Sequence, residues 1–171
     1  NNIFQTKGSA AVLMDIDNGN ILSLVSLPDF DPNKRENIKD KNYINKITKG
    51  VYELGSVFKT FTLAAALDEN LIEVDTKFID LEKSIDCGKN TIREYDKKIP
   101  KDLTAEEILI RSGNIGSVRI GQKIGVEKFK DFLTKINVIN KIEFDIDEIG
   151  IPISFKWGKC KLATTSFGHG V

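Results

Sequence analysis

The stretch Val57-Phe58-Lys59-Thr60-Phe61-Thr62-Leu63-Ala64-Ala65-Ala66-Leu67 is the most apolar in the chain, follows Gly55 and meets no breaker before Asn70. Such a run reads as a buried helix, so the rest of the fold has to pack around it. The charged residue in its first two turns, Lys59, then needs a partner or a purpose, because an unpaired buried ammonium is costly. Ser56 precedes the run, three positions before Lys59.

The elements around this helix are mixed. The apolar runs 10–16 and 21–27 flank Asp17-Asn18-Gly19-Asn20, and Asn-Gly between two such runs predicts an antiparallel hairpin. Pro28 to Lys49 carries turn residues and charge, which reads as an exposed connection with a short helix. Leu71 to Ile99 resolves only into loops and short elements. Thr104 with Glu107 forms a Thr-x-x-Glu capping box that starts a helix, and Ser112-Gly113-Asn114 interrupts it. Ile115 to Ile124 gives another helix stopped by Gly125, and Val126 to Ile136 a fourth with Phe129, Phe132 and Leu133 on one side. A lone two-stranded sheet is marginal in water, so one hairpin beside four helices implies that further strands lie outside this sequence. The expectation is an α+β fold of which 1–171 is a part.

Composition narrows the class of function. At 40% hydrophobic and 29% charged residues over 171 positions, the chain is globular. Twenty-five Lys and Arg balance twenty-five Asp and Glu, which removes the electrostatic footprint expected of a nucleic-acid binder. No apolar run approaches the ~20 residues of a spanning helix, and the start lacks the layout of a signal peptide, so a membrane anchor would lie outside this sequence. Cys87 and Cys160 have no CxxC or Cys/His cluster about them, which argues against a metal site and leaves both a disulfide and two reduced thiols open. No cofactor is implied.

Chemistry points to Ser56 and Lys59. One helical turn apart on one face, the hydroxyl and the amine are placed for the amine to accept the hydroxyl proton, and a helix N-terminus favours the anion that develops. Lys59 has to be neutral for this, and the apolar neighbours Val57, Phe58 and Phe61 supply the burial that lowers an ammonium pKa. By chance alone a chain of this composition would hold about one Ser-x-x-Lys and about one Ser-x-Asn. It is their setting that matters: Ser56 opens the most apolar helix, and Ser112-Gly113-Asn114 fills a break between two others.

Several further blocks then fall into line. Ala10 to Asp15 and Leu27-Pro28-Asp29-Phe30-Asp31-Pro32-Asn33, Gly50 to Lys59, Leu103 to Glu107 with Ser112-Gly113-Asn114-Ile115-Gly116, and Ala163 to Gly170 together resemble, in order, the transpeptidase domain of class B penicillin-binding proteins. The similarity spans essentially the whole chain and is strongest to the division-type, monofunctional peptidoglycan D,D-transpeptidases. Leu54 replaces a usual Pro, Gly113 a usual Ser and His169 a usual Gln. The third motif of that family, Lys-Thr-Gly or Lys-Ser-Gly, does not occur, so the resemblance implies a β-lactamase/transpeptidase-like fold truncated before that strand and inactive alone.

What the resemblance implies for the site is specific. Ser56 would attack a D-Ala-D-Ala stem peptide to form an acyl-enzyme, with Lys59 as base, Ser112 relaying a proton and Asn114 orienting the substrate amide while bonding Lys59. The Ser56 N–H would form half of an oxyanion hole. Stem peptides, β-lactams and cell-division membrane proteins become the implied partners, in an inner-membrane enzyme whose catalytic domain lies in the periplasm. Two other readings share these motifs: a serine β-lactamase or β-lactam sensor, and a catalytically silent interaction module of a wall-synthesis complex. Phe58, Phe61 and Leu63 read as core, Trp157 and Tyr52 as packing or interface, His169 as part of a turn, and Asp145, Asp147 and Glu148 as a solvated loop.

Overall fold

A computed structural model describes residues 6–31, 33–34, 40 and 44–171, and these divide into two compact units, Asn1–Val51 with Asn140–Pro152 and Tyr52–Ile139 with Ile153–Val171. In the connection from Pro28 to Lys49, where a short helix is expected, residues 32, 35–39 and 41–43 lie outside the described residues, and the described ones form turns and bends without a helix.

In the first unit, β1 (Ser9–Met14) and β2 (Ile21–Leu27) form the expected antiparallel hairpin, in register from Ser9 opposite Leu27 to Leu13 opposite Ser23. Its first strand ends two residues earlier than the apolar pattern suggests, because the Asp15 carboxylate folds the loop. That carboxylate accepts the Asp17 N–H at 2.9 Å and the Asn18 amide at 2.8 Å, and Gly19 takes a positive φ of 76°. Ile16 is consequently 94% exposed. Elsewhere in this unit, the Asn45 N–H bonds Glu148 Oε1 at 2.9 Å and the Gly150 N–H bonds the Thr48 carbonyl at 2.7 Å. Of the three acidic residues read as a solvated loop, Asp145 and Asp147 are exposed, whereas Glu148 is half-buried and holds the backbone.

The second unit is built on α1 (Lys59–Asp68), which packs against α2 (Ala105–Ile110), α3 (Asn114–Ile124) and α4 (Val126–Lys135). The capping box of α2 forms reciprocally: the Glu107 N–H donates to Thr104 Oγ1 at 3.2 Å and the Thr104 N–H to Glu107 Oε2 at 2.9 Å. Such caps contribute about 1 kcal/mol each. Phe58 meets Phe129 edge-on, and Phe129 meets Trp157 likewise, with centroids 6.3 and 6.4 Å apart. Trp157 is therefore a packing residue.

Two features go beyond the sequence patterning. Leu71 to Leu103 contains β3 (Lys77–Phe78), β4 (Ser84–Cys87) and β5 (Asn90–Arg93), with β3 pairing β6 (Leu103–Thr104) and β4 pairing β5. A fifth helix, α5 (Lys159–Thr165), lies against α3. Glycines on α3 make its close contacts feasible: a Cβ at Gly121 would sit 1.9 Å from Ser166 Oγ at the end of α5, and one at Gly116, facing α2, would sit 2.5 Å from an Ile108 carbon. Cys87, at the end of β4, is disulfide-bonded to Cys160 in the first turn of α5, with Cα atoms 5.2 Å apart. No helix among the described residues is long and apolar enough to cross a membrane.

Candidate active site

Ser56 does not open the α-helix itself. It lies in a 3-10 turn, Gly55–Phe58, that runs directly into α1. Residues i and i+3 eclipse in a 3-10 helix, so Ser56 and Lys59 share one face more closely than an α-turn would allow. Ser56 is exposed while Lys59 is 2% exposed, which puts the hydroxyl at the surface and the amine beneath it.

The block 163–170 anchors this turn from below. The Gly55 N–H donates to the Gly168 carbonyl at 3.1 Å, and a Cβ on Gly168, whose φ is +86°, would fall 1.8 Å from the Gly55 oxygen. Only glycine fits that approach. One turn into α1, buried Thr62 Oγ1 donates to the Ser166 carbonyl at 2.9 Å. His169 sits on the turn after α5, stacked on Phe167 with its Nδ1 3.3 Å from Glu53 Oε1, as expected of a turn residue.

Opposite Lys59, α2 ends in a Schellman motif. The Gly113 N–H bonds the Ile108 carbonyl and the Ser112 N–H bonds the Leu109 carbonyl, each at 2.9 Å, with Ser112 in the left-handed region at φ +52°. Glycine is the usual occupant of that position. A serine there is strained by about 1 kcal/mol, and the strain delivers both its carbonyl and its hydroxyl to Lys59. The amine donates to the Ser112 carbonyl, to Ser112 Oγ at 3.0 Å and to Asn114 Oδ1 at 2.8 Å.

Three acceptors satisfy the three donors of an ammonium. Even so, burial pushes the Lys59 pKa down from 10.5 to about 8, with the Glu94 carboxylate opposing part of the shift. The structure thus gathers Lys59, Ser112 and Asn114 in one hydrogen-bonded cluster. Ser56 stands over it without a hydrogen bond to the amine among the described contacts. Glu94, which sequence reasoning passed over, bonds the N-terminus of α3. The signal that could have found it is the glycine at the α3 N-cap, which leaves helix donors to be satisfied from elsewhere.

The strain at Ser112 makes a separable prediction. Ser112→Ala keeps the left-handed backbone and loses the hydroxyl, whereas Ser112→Gly loses the hydroxyl and relieves the backbone. Denaturant unfolding is expected to find the glycine variant about 1 kcal/mol more stable than the alanine variant. Equal stability would mean that position 112 is unstrained.

The structure thus brings together an exposed Ser56, a buried Lys59 and a Ser-x-Asn turn bonded to the Lys59 amine. Residues 9–171 match the family described as penicillin binding protein transpeptidase domain, and the chain belongs to it. It is 30% identical over 98% of its length to a probable peptidoglycan D,D-transpeptidase FtsI of Caulobacter vibrioides, covering 28% of that protein. In fold it matches a crystal structure of a peptidoglycan glycosyltransferase from Burkholderia ambifaria, with TM-score 0.83, 24% identity, and coverage of 99% of this chain and 50% of that one. It likewise matches the transpeptidase domain of penicillin-binding protein 3 from Burkholderia pseudomallei, with TM-score 0.77, 23% identity, and coverage of 95% and 45%. The fold is accordingly the partial α+β transpeptidase type, and the chain spans half or less of each of these three proteins.

Proposed function

We propose that this chain is the serine-bearing part of a peptidoglycan D,D-transpeptidase. The observation that carries the reading is the Lys59 amine, buried, lowered in pKa and bonded to both Ser112 and Asn114 beneath an exposed Ser56. The names of the matched relatives agree with it.

In the forward step a neutral Lys59 accepts the Ser56 hydroxyl proton as Oγ bonds the carbonyl carbon of the penultimate D-Ala. A neutral amine donates two hydrogen bonds instead of three and has a free lone pair, so one of its three present contacts is given up. Ser112 Oγ is suited to that exchange, because a hydroxyl can turn from acceptor to donor. The tetrahedral oxyanion is met by the Ser56 N–H, part of a preorganised donor set. Collapse breaks the peptide bond, and the departing D-Ala amine takes a proton through Ser112 from Lys59. An amine of a neighbouring stem then attacks the ester carbonyl and yields a proton to Lys59, which passes it to Ser56 Oγ as the ester C–O bond breaks, forming the cross-link and restoring the Ser56 hydroxyl. A β-lactam follows the same path to a stalled acyl-enzyme.

The chain spans 28% of the matched FtsI relative, and on this reading a Lys-Thr-Gly strand and contacts with division proteins are assigned to the rest of a longer protein. The Cys87–Cys160 disulfide agrees with a periplasmic position for this domain, since such bridges persist in oxidising compartments; the inner-membrane tether is part of the proposed reading.

The test is intact-protein mass of the full-length protein after incubation with a penicillin, beside Ser56→Ala. A slowly lost adduct on the peptide that holds Ser56, absent from the variant, is the expected result. Rapid hydrolysis of the adduct would identify a β-lactamase, and a folded protein without any adduct would leave an interaction module.

A further inference from the structure

Glu94 lies one residue past β5, half-buried, and its carboxylate is fully occupied by the backbone of another element. Oε2 accepts the Asn114 N–H at 2.6 Å and Oε1 the Ile115 N–H at 2.9 Å. The first N–H groups of a helix have no intrahelical partner, and at α3 the N-cap is Gly113, which has no side chain to supply one. A carboxylate from 20 positions upstream fills that role, with the sign the helix dipole favours. Its neighbour adds a third hold: the Arg93 carbonyl accepts from Asn114 Nδ2 at 2.9 Å. With its nitrogen so engaged, the Asn114 amide is oriented to offer Oδ1 to Lys59 at 2.8 Å.

We infer that Glu94 is a positioning residue of this site: by bonding the Asn114 and Ile115 N–H groups, it locks the Ser112–Asn114 turn around the Lys59 amine. The inference rests on the reading of that amine as proton acceptor. Glu94 also has an electrostatic effect, because its negative charge favours the ammonium form of Lys59 against the burial that disfavours it. Of the charged groups on the elements packed about α1, among them Glu107 and Arg111 at α2, Arg119 on α3 and Lys128 on α4, none adds a resolved effect on Lys59. Geometry and charge thus meet at one residue. A clamp that loosened would misplace the turn that carries all three amine acceptors, and a clamp without charge would leave the amine easier to deprotonate.

Glu94→Gln separates these effects, since it keeps the shape and one acceptor oxygen and removes the charge. Glu94→Asp keeps the charge on a shorter arm. In the full-length protein, the penicillin acylation rate is followed against pH, Lys59 is titrated by NMR at its side-chain carbon, and amide exchange is read at Asn114 and Ile115. Glu94→Gln is expected to slow plateau acylation about tenfold, the size of one lost charge-assisted hydrogen bond. It is also expected to move the Lys59 midpoint and the acid limb of the rate to lower pH, and to hasten exchange at both amides. Glu94→Asp is expected to hold the midpoint nearer the parent value.

A Glu94→Gln protein that merely melts earlier, with the midpoint, limb and plateau rate of its folded fraction unchanged, would reduce Glu94 to a helix cap and overturn the inference. Should the parent take no penicillin, the transpeptidase reading fails separately. The NMR midpoint and amide exchange then decide Glu94 by themselves: movement of both supports the positioning role, and movement of neither overturns it.

Discussion

Replacing Lys59 by methionine is expected to slow acylation of Ser56 about a thousandfold, the middle of the range for loss of a positioned general base. Methionine fills the same buried channel, so thermal unfolding measured beside the kinetics separates lost chemistry from lost fold. The parent enzyme should show an acid limb with a midpoint near 8, because burial lowers the Lys59 pKa from 10.5 to about 8. The sign follows from the requirement for a neutral amine. Below the midpoint the ammonium form dominates, and the rate falls about tenfold per pH unit. At pH 7 about one molecule in ten carries the neutral amine, against about one in three thousand for an unshifted lysine, so the net shift, burial less the opposing Glu94 charge, enlarges the competent fraction some three-hundredfold. The residual rate of Lys59→Met should have no limb near pH 8. A parent rate that is flat from pH 6 to 9, or a methionine variant that acylates normally, would remove Lys59 from the role of base.

The residues of this site were legible in the sequence to different depths for physical reasons. Ser56 and Lys59 stand out because an apolar helix containing a lysine at its start is locally improbable, and helix α2 stands out because Thr104 and Glu107, within four consecutive residues, cap each other. Both signals are local. The tighter winding of the turn that holds Ser56 was not legible, since it depends on Gly168 meeting Gly55 across more than a hundred residues. Helix α5 escaped because Lys159–Thr165 is only seven residues long and ends in two β-branched threonines; it forms against Gly121, a vacancy on α3 that has no period of its own. Strands β3 and β6, two residues each, exist through their pairing alone. Glu94 was hidden for the same reason as α5. Nothing in the composition of Ile92-Arg93-Glu94-Tyr95 marks a carboxylate whose partners are helix donors 20 and 21 positions away.

The disulfide gives the largest expected change in stability. Bonding Cys87 to Cys160 closes a loop over a sequence separation of 73, and in the chain-entropy account a loop of that size stabilises the fold by about 4 kcal/mol. For a domain of this size that corresponds to a fall in melting temperature of roughly 10 °C on reduction. The site feels the loss from two directions. Glu94, Ser112 and Asn114 all lie inside the closed loop, while α5 starts at the second cysteine and continues into the Ser166 and Gly168 carbonyls that hold Thr62 and Gly55. Cys160 is exposed, so a reductant can reach the bridge in the folded state. Melting the full-length protein with and without reductant is expected to show the drop together with a slower penicillin acylation, and a Cys87→Ala, Cys160→Ala double variant should melt at the reduced value and ignore the reductant. If thiol titration finds both sulfurs free in protein purified from an oxidising compartment, or if reduction leaves the melt unchanged, the bridge contributes nothing to the fold, and the compartment argument built on it goes with it.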